Sequence, residues 1–264
     1  MVRRLRLISG LVLFSFLLTH LANLGLGILS LEALDRGREA FLLLWRNPAG
    51  TLLLYGAIGL HLALAYWAIY QRRSLRMPAW EAAQLLLGLA VPPLLVIHVL
   101  GTRLSHQVMG VEDSYLYVLL VFFAFDTTAG LKQAAVLLVA WLHGCIGLHF
   151  WLRLKSWYDR ARPSLFAAAI VVPLTALFGM WMAGRTAARL AADPDWLAAA
   201  SARLKIPDAA GRDLIYGLEA WIVGGLALLL LLVLGLRLLR ALLRRRRGIV
   251  ELTYPGGRRV RVTA

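Results

Sequence analysis

The sequence predicts an all-α integral membrane protein, a bundle of six transmembrane helices followed by a short cytoplasmic β-hairpin tail. Three observations predict it. Of the 264 residues, 60% are hydrophobic and only 16% are charged. Mean hydropathy is +0.71. The charges gather between apolar runs, and each run approaches the roughly 20 residues that a helix needs to cross a hydrocarbon core.

The net charge of +15 falls at the ends of these runs. No basic stripe is interleaved with exposed aromatics, so the charge speaks for membrane topology and against nucleic acid. The single cysteine, Cys145, stands inside an apolar run. Neither a disulfide framework nor a cysteine-ligated cluster can form within these residues.

The first span covers roughly 7–30. Its opening, MVRRLRLISG, resembles a signal peptide, but the apolar run is near spanning length and lacks a small-residue cleavage site, so it reads as a retained helix. The remaining spans cover roughly 51–70, 80–102, 131–153, 164–184 and 214–239. Arg3, Arg4 and Arg6 precede the first; Arg72, Arg73 and Arg76 follow the second. Arg153, Lys155, Arg160 and Arg162 follow the fourth, and Arg237, Arg240 and Arg244 to Arg247 end the sixth. Excess Lys and Arg mark cytoplasmic connections, which puts both termini in the cytoplasm of a multi-pass protein of the bacterial inner membrane.

The opposite connections are longer and carry compensating acids. Residues 31–50 mix Glu32, Asp35 and Glu39 with Arg36, Arg38 and Arg46, and residues 185–213 mix five basic with four acidic side chains around Pro194 and Pro207. Within 103–130, LYVLLVFFAF (116–125) is too short to span and is expected to lie at the outer interface or to cap the bundle. Pro92 and Pro93 are expected to kink the third span just before His98. Beyond Gly248 the pattern IVELTY, PGG, RRVRVT alternates with period two around a turn, which reads as a hairpin. The chain therefore divides into a membrane domain, 1–247, and the start of a second domain, 248–264.

Four apolar spans each carry a histidine near mid-membrane or in its outer half: His20, His61, His98 and His143. A polar side chain in hydrocarbon is costly and usually marks a ligand, relay or pathway. At 1.5 Å per residue, His61 and His143 come out at one depth, and His20 and His98 at another. Two neutral imidazoles on different helices at one depth are what an iron held inside a macrocycle requires, so the pattern predicts two b-type haems. Ala57 and Ala65 flank His61, and Ala140 and Gly147 flank His143, leaving room for a flat ring. Around His20 and His98 the neighbours are bulkier, although Gly101 follows His98 by three residues.

His149 lies six residues, about 240°, around the helix from His143, so the two cannot serve one site. It can hydrogen-bond a propionate or head group, or stand in for His143. His106 falls in a loop and is expected to be solvated. Arg103 and Arg46 are candidates to pair with propionates of an outer haem, and Arg153 with an inner one; the plainer reading is interfacial anchoring.

The stretch LHGCIGLHFWL around His143 resembles the last haem-bearing helix of the cytochrome b membrane subunits of succinate dehydrogenases and fumarate reductases. The resemblance covers the first four spans. It implies the ligand pairs His61/His143 and His20/His98 and exchange of electrons with membrane quinone. Some dihaem members carry a glutamate where this chain has Trp141, so it implies no proton path through that helix.

The tail GIVELTYPGGRRVRVTA is similar to the first hairpin of plant-type 2Fe–2S ferredoxin domains, whose cysteines would lie beyond residue 264. Six such helices and this tail together resemble the membrane portion of bacterial class III adenylate cyclases. That resemblance implies a redox-sensing anchor, a homodimer, and cytoplasmic ferredoxin-like and cyclase domains. No nucleotide site exists within these residues, so this chain alone is not expected to make cyclic AMP. Two rival readings stand beside it: the membrane anchor subunit of a respiratory complex, and a haem-free receptor or scaffold in which the histidines bond between helices.

Overall fold

The computed structural model describes residues 1–246, 249–253 and 259–263. Among these residues the helices are α1 (Val2–Gly25), α2 (Leu31–Trp45), α3 (Pro48–Gln71), α4 (Ala79–Val99), α5 (Ser105–Met109), α6 (Tyr115–Leu120), α7 (Thr127–Leu152), α8 (Tyr158–Leu190), α9 (Pro194–Leu204) and α10 (Ala209–Arg246). The strands are β1 (Ile249–Thr253) and β2 (Arg259–Thr263). Six helical segments are long and apolar enough to cross a membrane: Val2–Ile28, Pro48–Gln71, Ala79–Met109, Thr127–Leu152, Tyr158–Leu190 and Ala209–Leu243. They coincide with the six expected runs, and four of them extend past the expected run at both ends, because a helix continues beyond hydrocarbon wherever caps and side-chain bonds satisfy its ends.

Those caps are readable residue by residue. Ser30 Oγ accepts from Ala33 N at 3.0 Å, and Asn47 Oδ1 accepts from Gly50 N at 2.8 Å with Pro48 at the first helical position. Asp126 accepts from Ala129 N at 3.0 Å, which holds its carboxyl below the usual carboxylate range. Each side chain satisfies a backbone donor that the first helical turn leaves free. The connection 31–50 is thus mostly helix α2, and Pro194 opens α9 rather than interrupting it.

α1 packs on α3, α7 and α8, α4 packs on α7, and α10 lies across both α3 and α4. α1, α3, α4 and α7 therefore form a four-sided bundle in which α1 faces α4, and α3 faces α7, across the diagonals. α8 closes against α1 through glycine. A Cβ on Gly27 would collide with the Gly179 carbonyl, and one on Gly179 with the Leu24 carbonyl, so the two backbones touch only because both side chains are absent. Gly179→Leu is expected to lower the thermal unfolding midpoint in detergent, with overpacking costing about 1–3 kcal/mol. Gly217→Leu, at a position where a Cβ meets nothing within 4 Å, should leave it unchanged.

One end of the bundle carries the basic connections; the other is capped. α2, α6 and α9 gather there around Leu34, Val111, Leu119, Leu120 and Leu204, each at most 1% exposed. Of the two expectations for 116–125, the cap is the one observed, since Leu116, Leu119 and Leu120 are buried in protein rather than laid on an interface. Burial pushes the Tyr115 hydroxyl up to about 12, so it stays neutral while accepting from Asn23 Nδ2 at 2.9 Å. Along α10 the apolar side chains face outward, Trp221 at 82% exposure and Leu228 at 68%, as a lipid-facing helix requires.

Helix α4 runs through Pro92 and Pro93, and the widened turn comes after them, a π-helical stretch at Leu100–Leu104 directly beyond His98. Its loosened carbonyls are taken up by side chains: Tyr117 Oη donates to Gly101 O at 2.9 Å, and Ser105 Oγ to Leu100 O at 2.8 Å. In the tail, β1 and β2 pair antiparallel with Leu252 opposite Val260. The expected turn at 254–258 and the junction at Arg247 and Gly248 lie outside the described residues.

Candidate paired-histidine sites

Four imidazoles project into the diagonals of the bundle as two pairs. His61 of α3 faces His143 of α7 with ring centroids 6.2 Å apart, and His20 of α1 faces His98 of α4 at 6.1 Å. Each pair joins opposite corners, so the space between its rings lies on the bundle interior.

The separation is chemically informative. A metal–imidazole bond of about 2.0–2.1 Å, plus roughly 1 Å from nitrogen to ring centre, gives about 6 Å between centroids when one metal ion sits between two rings. Aromatic rings packed directly on each other also lie about 4.5–7 Å apart between centroids, so the separation admits an ion between the rings without requiring one. The ring planes are inclined by 85° and 56°.

The levels of the two pairs follow from α1 and α4. A Cβ on Gly10 of α1 would lie 3.2 Å from His61 Cε1, and one on Gly88 of α4 would lie 2.5 Å from His143 Cε1. Gly10 precedes His20 by ten residues, and Gly88 precedes His98 by ten. At 1.5 Å per residue, each helix therefore places its glycine at one level and its histidine about 15 Å further along. At the level of His61 and His143, α1 and α4 supply bare glycine backbone.

That level is also the one with built hydrogen bonds. His61 Nδ1 is 3.1 Å from Ser9 Oγ, and Ser9 Oγ can donate to Arg6 O at 3.2 Å. The serine hydroxyl can accept from or donate to Nδ1, so this contact admits either tautomer of His61. His143 Nδ1 is 3.0 Å from the Gln84 carbonyl, which can only accept, so His143 carries its proton on Nδ1. Neither Nε2 has a hydrogen-bond partner among the described residues. Metal-bound histidines show this arrangement, the second nitrogen tied to an oxygen that fixes the ring.

At the other level, Nδ1 of His20 and of His98 is buried without a partner. The His20 ring packs against Phe16 at 5.9 Å and Phe41 at 5.4 Å. Gln133 of α7 lies beside His98, ten residues before His143, without reaching its Nδ1. Buried nitrogens without partners are uncommon in packed interiors and mark places where something else is held. Gln84 Oε1, next to the His143 level, is a third such atom.

The other candidates lie elsewhere. His149 Nδ1 is 2.6 Å from Tyr158 Oη, tying the end of α7 to the start of α8, away from His143. His106 Nδ1 bonds the Val111 backbone carbonyl at 2.8 Å. Arg46 is ion-paired to Asp113, with Arg103 close by, and Arg153 lies over the Phe150 ring at 5.1 Å. Gly147 faces Gln84 Nε2 of α4, and Trp141 donates Nε1 to Ala169 O of α8 at 2.8 Å.

Ser9, Gly10, Gln84 and Gly88 escaped the sequence reading. The repeated ten-residue interval from glycine to histidine in the first and third spans is the signal that could have found the glycines; Gln84 acts through its backbone and leaves none.

A crevice of about 310 Å³ opens on the flank of α1, lined by Ile8, Leu11, Val12, Ser15, Trp45 and Leu53. It contains none of the histidines and runs between the two levels. Among the described residues no group of three or more His, Cys, Asp or Glu side chains converges on a point. Comparison with known proteins finds no family model, no curated sequence and no solved structure that matches this chain.

Proposed function

We propose that this chain is a dihaem cytochrome b domain that senses redox state, linked to membrane quinone, and anchors a cytoplasmic adenylate cyclase output domain. The observation that carries the haem reading is the pair of 6.1–6.2 Å imidazole separations on the bundle diagonals. Two ligands are too few for a zinc ion, which takes three or four from protein, and no third His, Cys, Asp or Glu joins either pair among the described residues. Two axial ligands are enough where a macrocycle supplies the other four. His61 and His143 would hold one haem b and His20 and His98 a second, each supplying a one-electron centre when bound.

The residues of the chain divide the remaining work. The Gln84 carbonyl keeps Nε2 of His143 unprotonated, and Ser9 can hold His61 in the same tautomer. Gly10 and Gly88 let the backbones of α1 and α4 close directly on those rings, and the cap of α2, α6 and α9 covers the other end of the bundle. The crevice beside α1, apolar apart from Ser15 and Thr19-bound Trp45, has the shape and polarity for an isoprenoid quinone tail.

The output half of the proposal rests on the resemblance of the tail and on a physical link. Arg237 of α10 donates to the Arg72 and Arg73 carbonyls at 3.0 and 3.1 Å, and Arg240 donates to Gln71 Oε1 at 2.9 Å. The last helix is thereby fastened to the end of α3, the helix that carries His61, and continues toward the tail. A homodimer follows from the same resemblance.

The test is optical. Purified protein is expected to show a Soret band and a dithionite-induced α-band with two haems per chain. Absence of both bands in protein made with ample haem would leave the haem-free receptor. Coding sequence beyond residue 264 separates the other two readings, with cyclase motifs for the sensor and an immediate stop for a respiratory anchor subunit.

A further inference from the structure

The two histidine pairs have the same ligands but opposite hydrogen bonding, and that difference has a redox consequence. With Nε2 of each ring on a haem iron the proton would lie on Nδ1, which at the His61/His143 level is 3.1 Å from Ser9 Oγ and 3.0 Å from Gln84 O. At the His20/His98 level both Nδ1 atoms are buried without a hydrogen-bond partner among the described residues. A donated Nδ1–H leaves the ring more electron-rich and a better ligand for the higher iron valence, and such bonds are among the levers by which a protein tunes a haem. A ring with no acceptor, packed against Phe16 and Phe41, favours the less charged reduced centre.

Of the two acceptors, the Gln84 carbonyl is backbone. Ser9 is the one contributed by a side chain, and it is built for the purpose: it is 3% exposed within a membrane helix, and its own proton can go to Arg6 O.

Resting on the dihaem reading, we propose that Ser9 is a positioning residue that holds the His61/His143 centre at the lower reduction potential of the two, by accepting the His61 Nδ1–H. Electrons arriving at the basic end of the bundle then run downhill toward the capped end.

The experiment is an optical redox titration of purified wild type, Ser9→Ala, Ser9→Cys and Ser9→Thr. Wild type should titrate in two steps. Ser9→Ala should raise the lower step alone, shifting the equilibrium between the centres roughly tenfold, about 59 mV for a one-electron couple. Ser9→Thr, which keeps the hydroxyl, should titrate like wild type, and Ser9→Cys, a weak acceptor of similar size, should fall between. His61→Ala should abolish the step that Ser9 moves.

A dihaem protein in which Ser9→Ala leaves both steps in place, or moves the upper one, overturns this inference alone. If Ser9→Ala loses the haem, Ser9→Cys decides, a raised lower step supporting the proposal and an unmoved one refuting it. Wild type without haem bands overturns the dihaem reading and this inference together.

Discussion

His143→Ala is expected to halve the haem content of the purified protein and to remove one component of the reduced-minus-oxidised spectrum. On the proposed dihaem reading His61→Ala should remove the same component, because the two rings, 6.2 Å apart, would serve a single iron. Loss of either would leave that iron one ligand short in an apolar bundle. His20→Ala and His98→Ala should remove the other component, their rings being 6.1 Å apart about 15 Å along the bundle. His149→Ala should leave haem content unaltered, since its ring is committed to Tyr158. Quantifying haem against protein in all five variants tests the pairing. Retention of both haems in His143→Ala together with a loss in His149→Ala would assign the wrong histidine to α7.

Gly88→Val should be nearly as damaging without touching a ligand. Even the Cβ of alanine would stand 2.5 Å from His143 Cε1 and 2.9 Å from Nδ1, against a ring already fixed by the Gln84 carbonyl one turn earlier on the same helix. Helix α4 also packs on α10, which resists its retreat. The ring must swing away, breaking its hydrogen bond and misaligning Nε2. Overpacking of this kind costs about 1–3 kcal/mol, which amounts to roughly a 5- to 150-fold loss of affinity at the His143 centre.

Gly10→Ala should be milder, since its Cβ would stand 3.2 Å from His61 Cε1 and a small shift relieves the contact. A shifted spectrum with retained haem is the expected reading. Gly59→Ala, beside which nothing lies within 4 Å, is the matched control on α3. Equal haem retention in Gly88→Val and Gly59→Ala would show that the bare backbone beside His143 is dispensable.

The spans were legible because their signal is one-dimensional. An apolar run of membrane length between basic clusters has few alternatives, and all six runs form the helices they predict. The depth argument also placed His61 with His143 and His20 with His98, since level along a helix follows from counting residues. The cap was only half legible. LYVLLVFFAF is apolar whether it lies on lipid or under protein, and what decides is the presence of Leu34 and Leu204, from distant segments, to bury it together with nearby Val111. The arginines proposed for propionates were chosen by position alone, and the structure commits two of them locally, Arg46 to Asp113 and Arg153 to Phe150.

The sequence by itself determined the membrane class, the six helices and the two levels of histidine, because hydropathy and helical rise act along the chain. Only the tertiary structure decided that the pairs span the diagonals, that Gly10 and Gly88 stand beside the rings at one level, and that Ser9 and the Gln84 carbonyl hold two imidazoles while the other two go without. These are relations between helices far apart in sequence. They are set by which small residues let which backbones approach, and periodicity within one helix carries no record of what faces it.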